Sequence, residues 1–114
     1  MRLGVPLVCA SAAVAVSLVA SPWALRAVSA PDTIVSQKAR MFDPGEIAIA
    51  KGATVRFTND DPFLHQMFVL SPSFSFDSDE QSPGQMKDVV FPSEGDFNVL
   101  CGIHPKMSLK VRVR

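Results

Sequence analysis

The segment Asp96 to Cys101 alternates, with Phe97, Val99 and Cys101 on one parity, so it reads as a strand delivering a thiol into an apolar interior. The next residues, Gly102-Ile103-His104-Pro105-Lys106-Met107, follow the thiol with an imidazole and a thioether, each three residues after the last. Leu109, Val111 and Val113 then alternate with Lys110, Arg112 and Arg114 in a second, half-exposed strand. The chain must therefore reverse sharply while bringing three metal-binding side chains to one end of a sheet. Gly102 permits a tight turn. Pro105 stiffens the loop and argues against a helical turn as the source of the three-residue period.

The region upstream carries few helix signals and many strand signals. Thr33 to Arg40 opens as a strand, and Phe42-Asp43-Pro44-Gly45 reads as a turn. Glu46 to Ala50 and Thr54 to Thr58 alternate, the latter with Val55 and Phe57 inward, and Lys51-Gly52 turns the chain between them. Asn59-Asp60-Asp61-Pro62 is polar turn chemistry that delivers the chain to His65. His65, Met67 and Val69 share one parity, and a metal reading selects that face as the buried one. Ser71 to Gly84, rich in Ser, Pro and acidic residues, is expected to be a long surface connection pinned by Phe74 and Phe76. Met86 to Phe91 is a further strand, and Pro92-Ser93-Glu94-Gly95 a turn. Six to eight short strands with regular turns imply an all-β, Greek-key β-sandwich.

At 114 residues the chain holds one domain. Arg2, the apolar run Leu3 to Ala20, Pro22 and the small residues Ala27-Val28-Ser29-Ala30 follow the grammar of a secretory signal. The expected organisation is a signal peptide over 1–30 and a domain over 31–114, with cleavage after Ser29 or Ala30; an uncleaved anchor is the alternative. Cys9 is removed with the signal, leaving Cys101 as a single thiol that has no internal disulfide partner. Residues 31–114 hold nine Lys/Arg against eleven Asp/Glu, and no basic stripe marks a nucleic-acid partner.

A thiolate, an imidazole and a weak thioether form a donor set suited to copper in both oxidation states. Outside the loop the only histidine is His65, which completes a His2Cys trigonal set with Met107 as weak axial ligand. Zinc would call for more Cys or His, since methionine is a poor zinc ligand. Covalent haem and dithiol chemistry need a second cysteine, and a Cys–His nucleophile would need an oriented base and an oxyanion site that nothing here suggests. The bland alternative makes Cys101 and Met107 ordinary core residues. It leaves unexplained why both histidines and the lone thiol fall into one pattern. Met41, Met67 and Met86 are read as core or surface residues.

These residues resemble the cupredoxins, type 1 blue copper proteins, of the plastocyanin and amicyanin type. The resemblance spans essentially all of 31–114: Phe42-x-Pro44, Ile47-x-Ile49, Gly52-x-x-Val55-x-Phe57-x-Asn59-x-Asp61, His65, Phe91-x-x-x-Gly95-x-Phe97 and Cys101-x-x-His104-Pro105-x-Met107. The last is the most specific, and its short spacing resembles amicyanin-like proteins. The resemblance implies His65, Cys101 and His104 as equatorial ligands of one copper ion and Met107 as the axial one. It also implies one-electron transfer without an enzymatic reaction. The exit would be His104, within an apolar patch of Gly102, Ile103, Pro105 and Phe63. Expected partners are a redox donor and acceptor, such as a c-type cytochrome or a dehydrogenase, met by a monomer in the periplasm. Copper storage or delivery is the alternative. Asp77-Ser78-Asp79-Glu80 fits either the steering of a basic partner or a solvated loop. One departure stands out: Gln66 follows His65 where the family usually has Asn.

Overall fold

The computed structural model describes residues 2–17 and 30–114. Residues 2–17 form neither helix nor strand, and among the described residues no helix is long and apolar enough to cross a membrane. The expected cleavage region, Ala30 apart, lies outside the described residues.

The described residues form nine strands: β1 Thr33–Lys38, β2 Met41–Asp43, β3 Glu46–Ile49, β4 Thr54–Asn59, β5 Met67–Val69, β6 Phe76–Asp77, β7 Met86–Val90, β8 Gly95–Cys101 and β9 Ser108–Val113. They make two sheets, ordered β2-β1-β4-β7 and β3-β9-β8-β5-β6. Pairs β1–β4 and β3–β9 are parallel and the rest antiparallel. Five of the eight connections carry the chain from one sheet to the other, giving the expected Greek-key sandwich. Alternation puts Val35, Val55 and Phe57 of one sheet and Phe97, Val99, Leu109, Val111 and Val113 of the other into one buried cluster. Cys101 and Met107 belong to the same cluster, so one end of the core runs directly into the loop that follows β8.

Two expectations change. Phe42 and Asp43 are not in a turn; they lie in β2, antiparallel to β1. Phe42 is buried and meets Phe57 edge-on at 6.3 Å, so apolar burial outweighs the local turn signal. The reversal falls instead at Ala39 and Arg40, both with left-handed backbones. The Ser71–Gly84 connection is also less superficial than its composition implies. It contributes β6 to a sheet edge, and Ser78 and Gln81 are buried. The Gln81 side chain accepts from Gln37 Nε2 (2.7 Å) and donates to the Phe57 and Gln85 carbonyls (3.1 and 2.8 Å), binding this connection to the other sheet. Phe74 does pin it, packing on Phe91 and Phe97 at 5.1 and 5.7 Å. Of the methionines, Met67 is core, while Met41 and Met86 are exposed.

Phe91 is fully buried and contacts Phe74, Phe76 and Phe97. Phe91→Ala is expected to cost about 3–5 kcal/mol, read as a lower urea midpoint with an unchanged slope. Leu70→Ala, at a site 82% exposed, should leave the midpoint in place. An undisturbed midpoint for Phe91→Ala would contradict this packing.

Candidate metal centre

Asn59 closes β4 and shapes the loop that leads to the first histidine. Its Oδ1 accepts the Asp61 N–H (3.0 Å), and its Nδ2 donates to the carbonyls of Phe63 and Gln81 (both 2.9 Å). His65 then exchanges both backbone hydrogen bonds with Gln81, at 3.1 and 2.7 Å, in an isolated antiparallel bridge. This bridge sets the parity that buries His65, Met67 and Val69 together, as the metal reading requires.

The His65 ring is held from behind. Its Nε2 lies 2.8 Å from Asp61 Oδ2. An ionised carboxylate only accepts, so Nε2 carries the proton and Nδ1 keeps a free lone pair. Asp61 also accepts the N–H groups of Ala39 (2.7 Å) and Arg40 (3.1 Å). Burial pushes the Asp61 carboxyl up. The hydrogen bonds from His65, Arg40 and Ala39 outweigh that and hold it below the ordinary value of 3.8.

The second histidine comes from the loop after β8. The Met107 N–H donates to the His104 carbonyl at 2.9 Å, closing a β-turn with Pro105 at its second position, which proline favours. Gly102 does not have a left-handed backbone, so its role is close approach. It donates its N–H to the Gln66 carbonyl at 2.8 Å, and a Cβ there would come within 3.2 Å of Gln66 Oε1. The Gln66 N–H points at Cys101 Sγ, 3.4 Å away. The Gln66 side chain donates to both Asp77 carboxylate oxygens (3.0 and 3.1 Å), so it ties the His65 segment to β6. Part of the acidic cluster is thus structural: Asp77 binds Gln66, and buried Ser78 accepts the Met67 N–H at 2.9 Å.

Three ligand atoms converge. Cys101 Sγ lies 3.6 Å from His65 Nδ1 and 3.8 Å from His104 Nδ1, and the two Nδ1 atoms are 3.2 Å apart. A point about 2.1 Å from all three exists, close to ordinary metal–nitrogen and metal–sulfur lengths of about 2.0–2.3 Å. The residues therefore fit a metal ion. His65 and Cys101 are buried and His104 is half-buried. Burial holds the His104 imidazole below the usual histidine range, with the neighbouring His65 ring and the Arg40 charge acting in the same direction and Asp61 opposing them. That favours the neutral, ligating form. Met107 is buried at the end of the loop.

Of the four ligands expected from the sequence, the fold brings His65, Cys101 and His104 together, and Met107 is buried at the end of the loop. The sequence reading gave Asp61 only turn chemistry and missed its hold on His65. The available signal was its position four residues before the histidine, in a loop shaped by Asn59. Gln81 left no local sign, because its partner is the backbone of a distant residue.

No protein-family model matches the chain, and no curated protein does. Solved structures do. A Cu-containing nitrite reductase from Thermus scotoductus is 26% identical over 75% of the chain, with a TM-score of 0.68, but the chain spans only 22% of that protein. A purple cupredoxin from Nitrosopumilus maritimus is 25% identical, with 73% of this chain and 100% of that one covered and a TM-score of 0.64. The reduced Cu(I) form of an amicyanin mutant is 20% identical, covering 76% of this chain and 86% of that one, with a TM-score of 0.69. The fold is the cupredoxin fold.

Removing the Asp61 carboxylate orphans three donors. Asp61→Ala is expected to destabilise the protein by about 1–3 kcal/mol at neutral pH, and Asp61→Asn by less. Because the folded carboxyl is depressed, its contribution is complete above 3.8 and is lost as pH falls through the folded value. Urea titrations should show the gap between wild type and Asp61→Ala narrowing below that pH. A gap that persists in acid would contradict the assignment.

Proposed function

We propose that this chain is a small, exported blue copper protein that carries single electrons between redox partners. The observation that supports this most is the convergence of two imidazole Nδ1 atoms and one thiol sulfur on a common point. Copper held there by His65, Cys101 and His104, with Met107 as a weaker fourth ligand, would supply one-electron chemistry between Cu(II) and Cu(I).

The chain's own residues do the rest. Asp61 and the Gln81 bridge fix His65, and strand β8 fixes Cys101 within the core. Ligands held this way stay in one arrangement in either oxidation state, which keeps reorganisation small. The Gln66 N–H directed at Cys101 Sγ draws electron density from the sulfur and so helps set the potential. His104 is the half-buried ligand, next in the chain to exposed Ile103 and packed on Phe63, and forms the route for electrons to leave.

Storage or delivery calls for ligands that exchange metal with solvent. The burial of His65 and Cys101 favours electron transfer over that role. No reductase activity is proposed from a match spanning 22% of the nitrite reductase. Export to the periplasm, a monomeric state and a cytochrome or dehydrogenase partner follow from the sequence reading, and N-terminal sequencing of the protein from cells checks the first of these.

The protein loaded with Cu(II) is expected to show an intense visible band from sulfur-to-copper charge transfer, abolished by Cys101→Ser. A copper protein without the band would favour storage, and a folded protein that takes no copper would overturn the proposal. Met107→Leu, close to volume-conserving, should cost under about 1.5 kcal/mol. It should nonetheless shift the reduction potential, and an unchanged potential would remove Met107 from the ligand set.

A further inference from the structure

Phe63 stands between the histidine pair and a cation. Its ring centroid is 5.4 Å from that of His65 and 5.2 Å from that of His104. Arg40 places its guanidinium carbon 4.8 Å from the same ring centroid. A guanidinium over an aromatic face is attracted by the ring's quadrupole. The charge therefore sits within about 10 Å of the His104 ring, a range at which Coulomb interactions still matter.

Both sides of this stack are anchored in the backbone. Ala39 and Arg40 hold left-handed conformations, φ 55° and 56°, that non-glycine residues seldom adopt. Their N–H groups are fastened to Asp61, the carboxylate that also holds His65. The Phe63 carbonyl is fastened to the Asn59 side chain at 2.9 Å. One buried aspartate thus positions a metal-facing histidine and the turn from which Arg40 reaches over Phe63.

We propose that Arg40 and Phe63 form a clamp on the candidate copper centre, in which Phe63 restrains the His104 ring and Arg40 biases the site toward its reduced state. The clamp rests on the copper reading above. Reduction lowers the charge of the bound ion by one unit, so a fixed positive charge nearby favours the product. At about 10 Å the Coulomb interaction changes the Cu(I)-to-Cu(II) affinity ratio about 2-fold in water and about 15-fold at an effective dielectric of 20. Arg40 is exposed, so the lower part of that range applies and salt weakens the effect.

The test uses the full copper-loaded protein with Arg40→Gln, Arg40→Lys and Phe63→Leu. Redox titration at low salt should show Arg40→Gln moving the affinity ratio about 2- to 5-fold toward Cu(II), with the difference shrinking at high salt. Arg40→Lys should recover most of the shift. In the Zn(II)-substituted protein, Phe63→Leu should broaden the His104 ring-proton resonances, reporting a ring released from its stack. An intact visible band with a potential unchanged by Arg40→Gln would overturn the clamp alone. Absence of that band in the wild-type protein would overturn the copper reading and the clamp with it.

Discussion

The hydrogen bond between buried Asp61 and the rear nitrogen of His65 is the constraint on which the metal-facing end of this sandwich depends. A buried carboxylate is costly unless it is paired and hydrogen-bonded. Asp61 meets that condition with three donors drawn from two places: the His65 ring and the Ala39–Arg40 turn. The same contacts choose the tautomer of His65, leave its Nδ1 free and hold the left-handed turn between β1 and β2. A requirement of burial is thereby converted into the aim of a ligand.

The other ligands are held by apolar packing. Cys101 is the last residue of β8, on the face that also buries Phe97 and Val99, so moving the thiol means moving the core. His104 lies in the loop between β8 and β9 and has no such support from a strand. Its position comes from the Pro105 turn, the neighbouring His65 ring and Phe63. Two side chains held rigidly and one restrained by stacking leave His104 the least constrained of the three.

What could be read in the sequence depended on how local the cause was. β8 and β9 were plain, because seven and six residues of alternation expose the pleat. β2 and β6, of three and two residues, are too short for alternation to register, although each pairs with the strand just before it in the chain. His65, Cys101 and His104 were legible from donor chemistry alone, since few arrangements bring a thiol at a strand end together with the only two histidines. Asp61, Gln81 and Arg40 were not, and Phe63 was legible only as a member of the apolar patch beside His104. Their roles lie in partners that only the folded chain brings near.

The central claim is that this fold holds two imidazole nitrogens and one thiolate around a single copper ion in an arrangement indifferent to its charge. X-ray absorption at the copper edge, taken on the oxidised and the reduced protein, measures this most directly. The account predicts two nitrogen neighbours and one short sulfur neighbour in both states, with bond lengths nearly unchanged between them. A copper environment lacking the short sulfur, or a ligand lost on reduction, would contradict it.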